Sequence, residues 1–210
     1  MHGIVLFGDV IRSRRDSPAA TAWLRTLGAD LMAAYPAADR LAAFEFTQGD
    51  ELQGLLAPTA DPTIAVLRAA LHPEALAMRW VIVAGPVDPG RGPATQRSGP
   101  AFIAARERLD VAVARRERLA AVSGDPGTDR LLDGVAPLLG ALLAELTPRQ
   151  REIAWFLLVD GLRRSEAAER LGVSRATVSV AADRAHLREL GDLAGVVRTL
   201  LARATVGSDA

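Results

Sequence analysis

The sequence changes character near residue 125, and this change constrains the possible fold more than any single motif. Before it, short β-branched or alternating apolar runs such as 3–7 and 78–83 are separated by longer stretches with helical periodicity. After it the periodicity is helical throughout, and the turn-rich segment 123–128 separates the two regions. We therefore expect an α+β protein with a mixed domain at 1–124, a linker helix at 125–146 and an all-α domain at 147–210.

The N-terminal part is predicted to run strand, helix, strand, strand, helix, strand, and then helix and strand. The first six of these elements have the order of a ferredoxin-like sheet. In such a fold we expect helices on one face of the sheet and a second face that is partly free. The first helix is predicted from about Pro18 to Tyr35, where Pro36 ends it.

Composition excludes several classes of chemistry. All 25 basic residues are arginine, so catalytic mechanisms that need a lysine are excluded. The absence of cysteine excludes disulfides and thiolate metal sites. The net charge of zero gives no global sign of nucleic-acid binding. No apolar run approaches the roughly 20 residues of a membrane span, and Met1 leads directly into a strand. We expect a soluble cytoplasmic protein with no membrane partner.

Two acidic turns are the first candidate site. Asp9 ends the first predicted strand, and Asp50 lies at the tip of the predicted hairpin between the second and third strands. In a ferredoxin-like sheet these strands are neighbours, so the two carboxylates would repel unless a cation or proton lay between them. Mg²⁺ with a nucleotide phosphate fits such a pair. Glu51 is either a third ligand or a hairpin residue facing solvent.

A simpler interpretation of both turns stays open, because Gly-Asp is among the commonest turn pairs. If the metal interpretation holds, the segment after Asp9 would bind the phosphate through side chains or backbone amides. Its candidate residues are Val10, Arg12, Ser13 and Arg14.

The C-terminal part has the pattern of a helix-turn-helix. Thr147 and Gln150 suit a capping box, and Ala168, Gly172 and Val178 have the spacing of two helices joined by a tight turn. A recognition helix capped by Ser174 would direct its outer face to the major groove of DNA. The candidate DNA contacts are Arg164, Ser174, Arg175, Thr177, Ser179 and Arg184. A purely structural or dimerising helical bundle is the alternative.

The charge of this part is nearly balanced, with ten arginines and eight acidic residues from Thr147 onward. Since DNA affinity depends on phosphate contacts, a monomer should bind weakly, and we expect a homodimer. The last predicted helix has Leu193, Val196, Val197, Leu200 and Leu201 on one face. That face is either the dimer interface or a lid on the helical bundle.

Four segments together resemble the SatD-like family of small bacterial proteins. They are 8–14 (Gly-Asp-Val-Ile-Arg-Ser-Arg), 48–54 (Gln-Gly-Asp-Glu-Leu-Gln-Gly), 68–86 and 99–106. The N-terminal part is also similar to class III nucleotide cyclases and to GGDEF domains. That resemblance implies metal binding by Asp9 and Asp50 and phosphate binding by Arg106. The sequence departs from the cyclase pattern at Phe46 and Phe102, where cyclases carry a Lys and an Asn. The loss of these two side chains favours ligand binding over catalytic turnover.

Residues 146–152 and 167–178 resemble the helix-turn-helix of sigma-factor region 4 and of related response regulators. This resemblance implies a DNA-binding transcriptional regulator whose N-terminal domain binds a nucleotide or Mg²⁺-phosphate ligand. The alternative is a metal-dependent nucleotidyl cyclase or phosphotransferase with a helical assembly domain. A third possibility is that the N-terminal domain serves only as a dimerisation scaffold.

Overall fold

The computed structural model of the protein describes residues 1–12, 17–47 and 51–206. Asp50, Ser13 and Arg14 therefore lie outside the described residues. The strands are β1 His2–Val10, β2 Arg40–Phe46, β3 Glu51–Leu56, β4 Met78–Pro86 and β5 Leu119–Val122. The helices are α1 Ser17–Ala34, α2 Thr63–Leu71, α3 Pro100–Arg115, α4 Pro126–Glu145, α5 Pro148–Ala154, α6 Arg164–Leu171, α7 Arg175–Arg184 and α8 Leu187–Val206.

The five strands form one mixed sheet in the order β2-β3-β1-β4-β5. The central strand β1 is antiparallel to both β3 and β4, while β5 joins β4 in parallel. The predicted α+β class and the predicted order of elements up to β5 are confirmed. The first helix is also confirmed, displaced by one residue at each end from the predicted limits.

One face of the sheet is covered by α1 and α2. Leu24, Leu27 and Leu31 of α1 are fully buried and belong to one core with Ile4 and Leu6 of β1. Their spacing of three and four residues places them on a single side of the helix. This apolar stripe is what holds α1 on the sheet.

The expectation of a partly free second face is wrong. Helix α3 packs on β1 and β4, and its residues Ala105 and Leu109 form a second core with Val5, Phe7 and Val83 of the sheet. The reason lies in the central strands, because β1 and β4 are continuous apolar runs with buried side chains on both faces. Such runs are typical of strands covered on two sides.

The helices that follow the sheet pack on it directly. Helix α4 contacts β5 and α8, and α8 contacts β4, β5 and α2. Leu139 and Leu143 of α4 and Val197 and Leu201 of α8 are buried in the same core as β1 and α1. A single apolar core therefore runs from the sheet into the helix-turn-helix segment.

The apolar face of α8 is a lid within this chain. Of the five residues predicted for it, Val197, Leu200 and Leu201 are buried and Leu193 is partly buried against the core, whereas Val196 is exposed. Because the chain itself covers most of this face, the face is not available as the predicted dimer interface. The predicted homodimer needs a different surface.

Among the described helices, none is long and apolar enough by itself to cross a membrane. Helix α4 and the segment Pro148–Val159 meet those limits only as a pair, bent by 118° at the break between them.

Helix α4 approaches β5 closely at Gly140. A Cβ atom there would lie 2.7 Å from the backbone nitrogen of Leu119 in β5, whereas a Cβ at Gly134 of the same helix would meet nothing within 4 Å. We predict that Gly140→Ala lowers the free energy of unfolding by about 1–3 kcal/mol, since α4 must move away from β5. The matched variant Gly134→Ala should raise it by up to about 1 kcal/mol through helix propensity.

Chemical denaturation of the wild type and both variants, followed by circular dichroism, measures this difference. Equal effects of the two substitutions would contradict the proposed contact between α4 and β5.

Candidate functional site

The helix-turn-helix segment begins with a well-defined cap. The Thr147 hydroxyl accepts a hydrogen bond from the backbone N–H of Gln150 at 3.3 Å, and the Gln150 side chain accepts one from the backbone N–H of Thr147 at 2.9 Å. This is the predicted capping box. Helix α5 continues through a π-helical turn, Trp155–Val159, and the chain then reverses at Gly161, whose φ of +66° is left-handed.

The turn between α6 and α7 has the predicted geometry. Gly172 ends α6 in the left-handed conformation, with φ of 63°. The Ser174 hydroxyl then caps α7 by accepting a hydrogen bond from the backbone N–H of Thr177 at 3.1 Å. Ala168 and Val178 are buried between the two helices, so the outer side of α7 faces away from the core.

The predicted DNA-binding residues differ in their availability. Arg175, Thr177 and Arg184 are exposed, whereas Ser179 is half-buried. Arg164 is held by an ion pair with Asp183 of α7, with an N–O distance of 2.8 Å. Arg164 therefore links α6 to α7 in this structure, and Arg175 and Arg184 are the recognition-helix cations that remain exposed.

A shallow groove of about 560 Å³ runs between the start of α5 and the outer side of α7. Thr177 and Arg184 line it, together with Ala176, Val180 and Arg149, which the sequence analysis did not select. Val180 is 51% exposed although it is apolar. The spacing of 176, 180 and 184 by four residues places them on one helix face, and this signal was available in the sequence.

Ion pairs neutralise much of the charge of the C-terminal helices. Arg149 pairs with Glu152, Arg163 with Glu166 and Arg188 with Glu189. The backbone N–H of Arg163, and then its side chain, hold the pKa of the Glu166 carboxyl below its usual value. Within the described part of the chain, Arg175 and Arg184 make no ion pair. Their charge is thus directed to solvent, where a phosphate could bind.

These features place the protein in the class that combines a mixed β-sheet with a helix-turn-helix. Residues 138–186, which include the end of α4 and helices α5 to α7, match the family model described as Sigma-70, region 4. No curated protein matches the chain. The match covers less than a quarter of the sequence, and it indicates that the C-terminal helices form a helix-turn-helix of the DNA-binding kind.

The second candidate site lies at the end of the central strand β1. Asp9 is opposite Glu51 of β3 and opposite Arg79 of β4, so the three side chains share one face. The Arg79 guanidinium binds the Asp9 carboxylate at 3.1 Å and also donates to the carbonyl oxygen of Glu117 at 3.0 Å. Arg79 was not predicted for this site, because its role depends on the register between β1 and β4.

Glu51 is not a solvent-facing hairpin residue, and its role as a third metal ligand stays a prediction. Its side chain is buried and forms two hydrogen bonds with the Arg106 guanidinium, at 2.5 and 2.8 Å. Gln53 donates a third at 2.7 Å. The Glu51 carboxylate raises the pKa of Arg106, whose guanidinium also lies 4.9 Å from the centre of the Phe7 ring. Arg106, the predicted phosphate ligand, is thus engaged with a protein carboxylate.

The other predicted ligands at this edge are placed as follows. Val10 is buried, so only its backbone could contact a ligand, and Arg12 is exposed with a left-handed φ of 62°. The described residues contain no group of three or more acidic or histidine side chains that could hold a metal. Asp50, the other predicted metal ligand, lies outside the described residues together with Ser13 and Arg14. The predicted pairing of Asp9 with Asp50 stays a prediction.

Proposed function

We propose that this protein is a transcriptional regulator that binds duplex DNA through α7, with the groove beside α5 as part of the interface. The exposed, unpaired cations Arg175 and Arg184 on a capped helix beside a tight turn carry this proposal. Phosphate contacts by such cations give affinity, while Thr177 and Val180 have the chemistry to contact base edges and thymine methyl groups. The balanced charge of the segment also leads us to propose that it binds as a homodimer.

We predict that the protein binds a mixed-sequence duplex with an affinity that falls steeply with salt, and that Arg175→Ala and Arg184→Ala each weaken binding. Loss of one phosphate contact should lower the slope of log affinity against log salt by about one unit. Arg115→Ala is the matched control, because Arg115 is exposed on α3, on the opposite face of the sheet. Fluorescence anisotropy at several salt concentrations measures both quantities and the stoichiometry.

The DNA proposal fails if the wild type does not bind duplex DNA at low salt, or if both recognition-helix variants bind with unchanged affinity and slope. A stoichiometry of one chain per duplex would remove the homodimer from the proposal. DNA from upstream of the protein's own gene is the natural first duplex in which to search for a specific operator.

A second proposal concerns the sheet domain. We propose that it is a ferredoxin-like domain of the cyclase type, related to SatD-like proteins, in which Asp9 and Asp50 bind Mg²⁺ and a nucleotide phosphate. The strand order β4-β1-β3-β2 with α1 and α2 on one face supports this assignment. Asp9 supplies a carboxylate of the kind Mg²⁺ prefers, on the same face as Arg106. Bound Mg²⁺ would neutralise phosphate charge.

Ligand binding at this site would require two ion pairs to rearrange. Arg106 is half-exposed, so its guanidinium could exchange the Glu51 carboxylate for a phosphate. Asp9 would likewise have to exchange part of its interaction with Arg79 for a metal ion. The engaged state of both arginines favours binding over catalysis, because phosphoryl transfer requires charges already directed at the reacting group.

We predict that Mg²⁺ with ATP or GTP binds the full chain and that Asp9→Asn and Asp50→Asn each weaken this binding at least about tenfold, the effect of losing a charged ligand. Asp192→Asn, an exposed change on α8, is the matched control. Isothermal titration calorimetry measures the affinities. Absence of binding by the wild type, or unchanged binding by both variants, would overturn the metal site. A nucleotide product that disappears in the same variants would favour the enzyme alternative.

A further inference from the structure

A cavity of about 290 Å³ lies between the sheet domain and the helix-turn-helix segment. Its walls come from α2, β4 and α4, with Arg118 just before β5 and Arg151 in α5 beside them. It is close to the size at which pockets for small organic ligands begin. None of the described residues that are proposed for DNA or for Mg²⁺ binding lines it.

Many of the side chains that line this cavity are apolar and small. Ala69, Ala70, Ala75, Ala77 and Ala144 leave the space that larger side chains would fill. Ala77 and Ala144 are exposed, so the cavity opens to solvent. An apolar ligand group in this space would remove apolar surface from water.

Two guanidinium groups give the cavity a positive charge. Arg118 and Arg151 line it, and no acidic residue in the described part of the chain does. Among the described residues neither arginine makes an ion pair, although Arg151 donates one hydrogen bond to the carbonyl oxygen of Leu146 at 3.3 Å. Partial burial, and then the like charges of Arg79 and Arg12, lower the pKa of Arg118. A negative group beside Arg118 would relieve this repulsion.

Trp80 adds an apolar indole surface to the wall. It is 3% exposed, and its Nε1 is buried and not accessible from the cavity.

We propose that this cavity binds a small organic monoanion, a carboxylate on an apolar body, with the carboxylate held by Arg118 and Arg151 and the body enclosed by the alanines. Guanidinium groups pair well with carboxylates, and charge-assisted hydrogen bonds are the strong ones. The ligand differs in class from a nucleotide with Mg²⁺, because no carboxylate among the described residues lines the cavity. It would contact both β4 of the sheet and α5, the first helix of the helix-turn-helix segment.

The experiment uses octanoate as the probe and isothermal titration calorimetry with the full chain. We expect one saturable site. Arg118→Gln and Arg151→Gln should each weaken binding about tenfold, as expected for a lost charge-assisted hydrogen bond. Octan-1-ol, which has the same tail without the charge, should bind more weakly than octanoate and with the same affinity in both variants. Ala70→Leu, which fills the cavity, should abolish octanoate binding.

Arg130→Gln is the matched control, because Arg130 is exposed on α4 and does not line the cavity. The thermal midpoint of each variant reports whether it is folded, and the two arginine variants decide the outcome if Ala70→Leu does not fold. The proposal is overturned if octanoate shows no saturable binding at millimolar concentration, or if both arginine variants bind it as the wild type does. DNA binding is measured separately, so its failure is distinguishable from this one.

Discussion

The packing of α4 and α8 on the sheet is the contact on which the rest of the structure depends. Leu139, Leu143, Val197 and Leu201 are buried there in a core that also contains β1 and α1. Each such side chain contributes about 1.5–3 kcal/mol when removed from water. The short helices α5, α6 and α7 could not bury enough apolar surface alone, so they take their position from α4 and α8.

This arrangement places two chemically different surfaces on elements that share one core. The outer side of α7 presents unpaired arginines to solvent, whereas the sheet edge at Asp9 holds its arginines in ion pairs with Asp9 and Glu51. The cavity beside Arg118 and Arg151 is lined by residues of α2, β4, α4 and α5. A ligand that binds there would contact the element that begins the helix-turn-helix. Coupling to DNA would require that the ligand bind two states of the protein with different affinity.

Local features of this fold were predictable from the sequence, and features that depend on strand pairing were not. Thr147, Gly172 and Ser174 act on neighbouring residues, so their capping and turn roles could be derived from spacing. The pairings of Asp9 with Arg79 and of Glu51 with Arg106 join residues 55 or more positions apart. The first follows from the register of β1 with β4 and the second from the packing of α3 on the sheet, and spacing defines neither. The continuous apolar runs of β1 and β4 indicate that both faces of the sheet are covered. The ferredoxin-like order of elements led instead to the expectation of a partly free second face.

The central claim is that the sheet shares one core with α4 and α8, the helices on either side of the helix-turn-helix segment, and that these elements unfold together. Native-state amide hydrogen exchange tests it most directly, because it gives a separate opening free energy for each buried amide. We expect the slowest amides of β1, α4 and α8, such as those of Val5, Leu139 and Val197, to exchange with the same global free energy of unfolding. Exchange of the α4 and α8 amides at a clearly lower free energy, while β1 stays protected, would contradict the shared core.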